Sequence, residues 1–549
     1  MHRLTRRALI AAAAAAGVTG LAGGFFRAHR PRGGDHAAHA DLPLLQDPAF
    51  PNPLRVPETE GMYGVAEAAG SLTLVAKTVQ QAIHPGKPAR MLAYQMEHHG
   101  KTLFNPVLRA RTGTTVRIKL LNALDETSII HWHGFKVDSN NDGHPHYAVA
   151  AGATYDYQFT VANRAATYWY HPHPHHLTGK QVYLGLAGLF VVEDEEELAL
   201  QKALDLKFGE TDIPLVLQDR KFDDHGGLAY APSADERFHG QYGADVLVNL
   251  TPRPHLHVAT RLYRFRILNG SNARVYRLAF RHGERQVNYT VIGTDGGLLD
   301  RPHTVSEAFL APGERLDVLL DLRAASRGDA ITLVSLPFNA MHMEAAGASS
   351  SAHSTHAAPV DHSAHSQHGA PADRPDGAGL DLLRILVQRK TAYDRIVPKE
   401  LSRFDPPAVS SFSPRLIVLD QTKMAWRINA ATYDTARTPI TVRRDSVEAW
   451  DIRNVQPSMP HPMHIHGFQF RVISRTGSPE QQRRLAVTDT GLAATDLGWK
   501  DTVLAWPGET VRIVTDFSHP FRGDQVYMVH CHNLEHEDGG MMLNLKVAS

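Results

Sequence analysis

Cysteine is nearly absent: the 549 residues contain one, Cys531. A lone thiol excludes any intramolecular disulfide framework and any cysteine-rich structural zinc site, so stability has to come from burial. Net charge is absent as well, with Lys+Arg and Asp+Glu at 57 each. Without a global field the chain has no electrostatic bias toward nucleic acid or an anionic membrane, and neither is expected as a partner. Amphipathic helical patterns are scarce; Glu196 to Leu204 is the clearest, and reads as a connector between units. What the chain has in excess is histidine, 34 copies gathered in pairs and one tract. Clustered imidazole without abundant thiolate favours copper, zinc, iron or nickel.

A chain of 549 residues exceeds one core, and domains of roughly 100–200 residues imply about three. From about residue 45 it runs in short β-rich segments broken by Gly, Pro, Asn and Asp, such as SLTLVAKTV, TTVRIKLLNAL and GLAGLFVVED. The plan returns in LYRFRILNGS and ERLDVLLDL, and again in GFQFRVISR and VYMVHCH. The expectation is an all-β chain of three consecutive β-sandwich units, at residues 41–205, 206–400 and 401–549. Ahead of them, residues 1–40 place Arg6 and Arg7 before an Ala/Gly-rich apolar stretch, which resembles a twin-arginine export signal. That reading implies the twin-arginine machinery as a partner and a periplasmic or secreted location. Alanine and glycine supply too little hydrophobicity for a stable membrane anchor. Within the middle unit, residues 341–376 collapse into Ala, Ser, His, Gly and Pro, including His342, His353, His356, His362, His365 and His368. Such a stretch cannot bury enough surface to order itself, and reads either as a solvated loop or as a copper-delivery loop.

The densest chemistry lies in His530 to Met541, HCHNLEHEDGGM. On an extended strand His530 and His532 project to one face and Cys531 to the other. A thiolate, two imidazoles and a distant thioether are the ligand set of a blue-copper site, and Cys531, His536 and Met541 supply three of the four. Three more H-x-H pairs follow the same form: His131 and His133, His171 and His173, His464 and His466. His461 precedes His464 by an odd offset, which puts it on the opposite face if the segment is extended and Pro462 does not bulge it. The four pairs give eight imidazoles, too many for one metal and suited to a three-metal cluster shared by the first and last units.

HWHG, WYHPH, HPMHIHG and HCHNLEHEDGGM, in this order, resemble the four copper motifs of the multicopper oxidases, the family of laccases, bilirubin oxidases, cuprous oxidases and ferroxidases. The likeness spans about residues 45–549 and implies three cupredoxin-like Greek-key domains holding four coppers. Carried over, it makes His461, Cys531, His536 and Met541 the type 1 ligands, and His131 and His464 the type 2 ligands. His133, His171, His173, His466, His530 and His532 then hold the type 3 pair. His144, His146, His175 and His176 fall beside the motifs and are expected to be ordinary histidines. Electrons taken singly from a donor would pass from Cys531 to His530 and His532 over a route on the order of 12–13 Å, and reduce O₂ to water. Asp142 and Glu537 stand where related enzymes carry proton-relay acids, or else support the ligands. Trp132 is expected to pack between ligands. The likeness implies a laccase-type oxidase of phenols or similar donors. Its alternatives are a cuprous oxidase and, from another class, a non-catalytic copper-sequestering protein. VQPSMP carries no carboxylate before the third motif, and residues 400–440 hold no methionine-rich segment; both departures weigh against specific Cu(I) oxidation.

Overall fold

The structure is a computed structural model that describes residues 43–84, 86–342, 374–404, 413–422 and 425–549. The export segment and residues 343–373 of the histidine-rich tract lie outside the described residues.

Period-two alternation builds the sandwiches. In Thr115–Asn122, Val116, Ile118 and Leu120 are buried while Arg117 and Lys119 are exposed, as a strand with one face on a core requires. Among the described residues the strands form six sheets, and each of three large apolar clusters fills the space between two of them. The first cluster includes Leu74, Tyr94, Ile118, Trp132 and Phe190; the second Ile213, Phe265, Val318 and Ile385; the third Ile417, Trp450, Ile513 and Leu545. The chain is therefore all-β, with three consecutive cupredoxin-like sandwiches. The short strand Asn52–Pro53 runs parallel to Pro254–Ala259, so the chain touches the middle sandwich before it builds the first.

Trp132 packs as expected, 5.3 Å from Tyr157 and 5.5 Å from Tyr170 by ring centroid, inside the first core. The connector is a helix, Glu195–Ala203, capped by Asp194, whose side chain accepts from Glu197 N–H. Its Glu197 turns into the middle unit and accepts from Arg264 Nη2 at 3.0 Å and Arg266 Nη2 at 2.6 Å. The histidine-rich tract leaves after Ala330–Ser335 and returns at Leu380–Arg389, strands that pair with each other. Its edges are tied down: Arg274 donates to the carbonyls of Arg374 and Pro375, and His342 lies 3.4 Å from Asp376. Among the described residues no helix is long and apolar enough to cross a membrane.

Candidate metal centre

Strand register brings the histidines together. Ile130–His133 and Ala166–Pro172 pair antiparallel with His131 opposite His171. In the last unit His461–Ile465 pairs with Gln525–Cys531, setting His464 opposite His530 and Met463 opposite Cys531. Directly opposed residues share a face, so each sheet lifts a pair of imidazoles from one spot. His461–Ile465 keeps unbroken register against Thr502–Ala505; Pro462 makes no bulge, and His461 and His464 point to different sites as the odd offset requires. Gly143, at φ +85°, follows Asp142 because a Cβ there would lie 2.2 Å from the Ile130 carbonyl oxygen.

Eight buried imidazoles from the first and last units meet in one cavity. Their nitrogens fall into sets whose members lie within 4.8 Å: His131, His133 and His464; His133, His171 and His532; His173, His466 and His530. Most rings commit one nitrogen to the protein. His131 Nδ1 donates to the Asp142 carbonyl at 2.6 Å, His171 Nδ1 to the Pro172 carbonyl at 2.9 Å and His464 Nδ1 to the Asp501 carbonyl at 2.7 Å. A carbonyl only accepts, so these rings carry hydrogen on Nδ1 and a bare lone pair on Nε2. Nε2 atoms face one another across the cluster: His131 and His464 at 3.4 Å, His466 and His530 at 3.0 Å, His173 and His530 at 3.4 Å. His133 is reversed, with Nε2 3.0 Å from Asp501 Oδ1 and Nδ1 unpartnered. Burial pushes His171 down to about 3 and His173 to about 4, so these two rings are neutral at pH 7. Opposed lone pairs on neutral imidazoles repel unless a cation lies between them. The cavity fits a cluster of imidazole-binding metals.

The second site sits across the strand. Cys531 Sγ lies 3.5 Å from His461 Nδ1 and 3.5 Å from His536 Nδ1, all buried. His536 stands on the helix Leu534–Asp538, and its Nε2 donates to the Phe238 carbonyl at 2.9 Å, leaving Nδ1 for the thiolate side. Trp426 Nε1 donates to the same carbonyl at 2.6 Å. Met541 is buried in the same core, and Cys531 N–H donates to its carbonyl at 3.0 Å. Burial pushes the Cys531 thiol up, so a metal must displace a proton to bind there. Phe238 also walls a cavity of about 870 Å³ lined by Tyr230, Arg237, Lys180, Glu535 and Asp538. Glu535 accepts there from Tyr230 at 3.1 Å and Asn272 at 2.7 Å, and burial raises its carboxyl to about 7.

Besides Asp501, two more acids reach the imidazole cavity. Asp142 Oδ2 accepts from His466 Nδ1 at 2.8 Å while Oδ1 is unpartnered, and burial holds the carboxyl well above its usual range. Glu537 Oε2 is 3.1 Å from His530 Nδ1 and Oε1 is 3.4 Å from His173 Nε2. His144 is buried but bonds Asn544 at 2.9 Å, His175 stacks on His176, and His146 is exposed; all four stay outside the sets. Motif reading alone left out Asp501, Thr502, Phe238 and Ser458, whose oxygens hold ring nitrogens. Asp501 and Thr502 lie in residues 498–503, GWKDTV, far along the chain from the rings of the first unit; the Phe238 main-chain carbonyl leaves no signal in residue type.

A thiolate–imidazole site joined through one strand to a cavity of clustered imidazoles is the donor chemistry of copper redox proteins. Models of the multicopper oxidases match residues 84–197 and 409–549. A multicopper oxidase of Staphylococcus aureus is 30% identical over 481 residues, 87% of this chain and 88% of that protein. A laccase of Bacillus stratosphericus is 30% identical, covering 80% of this chain and 88% of its own. The crystal structure of the McoA multicopper oxidase from Aquifex aeolicus superposes with a TM-score of 0.78 at 39% identity, over 91% of this chain and 99% of that one. The chain belongs to the multicopper oxidase family, and is an oxidoreductase that uses copper and O₂.

Proposed function

We propose that this chain is a laccase-like multicopper oxidase that couples one-electron oxidation of phenols or similar donors to reduction of O₂ to water. One observation carries the reading: His530, Cys531 and His532 are consecutive, yet Cys531 belongs with His461 and His536 while its neighbours belong to two different imidazole sets. One peptide segment therefore joins two metal sites covalently. In this reading four coppers bind per chain. His461, Cys531, His536 and Met541 hold the type 1 ion, His131 and His464 the type 2 ion, and His133, His171 and His532 with His173, His466 and His530 the type 3 pair. Copper bound so supplies one-electron acceptance at the thiolate and four-electron reduction of O₂ at the imidazoles.

The protein's own groups do the rest. The cavity beside Phe238 binds the donor, and the Phe238 carbonyl holds His536 in the tautomer that turns Nδ1 toward Cys531. Asp142 holds a proton at the unpartnered Oδ1, and Glu537 stands between His173 and His530 to pass a second. The twin-arginine motif supports export to the periplasm or medium, with the mature chain divided at residues 41–205, 206–400 and 401–549.

A second reading, oxidation of Cu(I), is favoured by one feature. His239 and His342 lie nearly parallel at 5.9 Å beside Asp376, where the histidine-rich tract begins and ends. The test measures O₂ uptake by the copper-loaded protein with a phenolic donor and with Cu(I), in the full chain and in one lacking residues 341–376. Phenol turnover that survives the deletion supports the laccase reading. Turnover on Cu(I) alone, lost with the tract, replaces it by the cuprous one. A colourless copper-binding protein that leaves O₂ untouched overturns both in favour of sequestration.

A further inference from the structure

None of the proposed ligands comes from the middle unit, yet one of its side chains grips an acid that touches the imidazoles. Arg315, on the strand Arg315–Asp321, grips Asp501 of the last unit with both ends of its guanidinium: Nη1 to Oδ1 at 2.7 Å and Nη2 to Oδ2 at 2.5 Å. Its Nε donates to the Thr167 carbonyl of the first unit at 2.9 Å. Asp501 in turn touches two cavity imidazoles. Its Oδ1 accepts from His133 Nε2 at 3.0 Å and its main-chain oxygen from His464 Nδ1 at 2.7 Å, and those rings stack at 3.8 Å and 11°. Arg315, Asp501, His133 and His464 are all buried.

We propose that Asp501, clamped by Arg315, is a positioning residue that fixes His133 with Nδ1 toward the cavity and keeps His464 stacked beside it. The middle unit thereby sets the geometry of a cluster to which it gives no ligand. A buried fork of two parallel charge-assisted bonds has far less freedom than a single contact. An imidazole whose one nitrogen donates to a carboxylate presents the other in a fixed direction. The glycine of HWHG is explained by the same clamp. A Cβ on Gly134, at φ +86°, would lie 2.5 Å from Asp501 Oδ2 and 2.8 Å from Arg315 Nη2, so that position must be empty for the pair to close.

The proposal rests on the ligand reading above, and the experiment separates the two. Copper per chain is followed during titration with a chelator, alongside the blue thiolate band, in wild type, Asp501→Asn, Arg315→Lys, Gly134→Ala and His133→Ala. Asp501→Asn is expected to lower retention of the imidazole-bound copper roughly 10–100-fold while the blue band persists. Arg315→Lys keeps the charge but loses the fork and should fall between. Gly134→Ala removes no donor and tests the same geometry should Asp501→Asn fail to fold. Wild-type retention in Asp501→Asn, or in both other clamp variants if it does not fold, overturns the positioning role, even with a lowered melting temperature. His133→Ala that keeps all its copper overturns the ligand reading itself.

Discussion

Asp142→Asn separates proton delivery from ligand support. The main-chain carbonyl of Asp142 holds His131 Nδ1 at 2.6 Å whatever the side chain. Asparagine keeps an oxygen that can accept from His466 Nδ1, now 2.8 Å from Oδ2. Copper content and blue colour should therefore survive. The acidic proton is lost. Positioned proton transfer contributes roughly 10²–10⁴-fold, or about 2.7–5.4 kcal/mol of barrier, so kcat at saturating donor should fall within that range. Burial raises this carboxyl, so in wild type the proton is present below the raised value and lost as pH climbs through it. Bound copper would draw that value back down, which makes the comparison at one fixed pH the decisive one. The assay is O₂ uptake at saturating phenol with copper counted per chain. A variant with full copper and wild-type kcat would refute proton delivery by Asp142. A variant that has lost cluster copper would make the residue a support for His466.

Cys531→Ser should remove the blue band and donor turnover together, while the imidazole cavity still takes copper; spectra and metal counts check it. Stripping copper should lower thermal stability, since a site held at a thousand times its dissociation constant contributes about 4 kcal/mol, read by melting with and without chelator. Glu197→Gln should destabilise the chain by about 3–5 kcal/mol without altering the blue band, because it leaves Arg264 and Arg266 buried without that carboxylate. Burial opposes the charge on Glu197, but the two guanidinium groups win and hold its carboxyl well below the usual range. Its stabilisation is present above the unfolded value of about 4.3 and fades as pH falls below it. Denaturation at pH 7 and at acid pH should show the difference between variant and wild type shrinking.

Much of the site was legible because strands alternate. Parity alone separated Cys531 from His530 and His532, and His461 from His464, and both separations hold. Turn chemistry was not legible: that Gly134 and Gly143 sit at close approaches is visible only once Asp501 and the Ile130 carbonyl are in place beside them. Distance along the chain hid the rest. Asp501 and His133 are 368 residues apart, and Arg315 and Asp501 186 apart, so no local pattern couples them.

The sequence by itself determined the β-sandwich repeats and the donor types, because side-chain period and ligand chemistry are properties of neighbouring residues. Only the tertiary structure decided which imidazoles lie within reach of one another, which ring nitrogens are committed to protein oxygens, and that Arg315 of the middle unit grips Asp501. Those depend on register between strands and on carbonyls and charges brought in from other units, and a hydrogen bond fixes a ring only once both partners are in place.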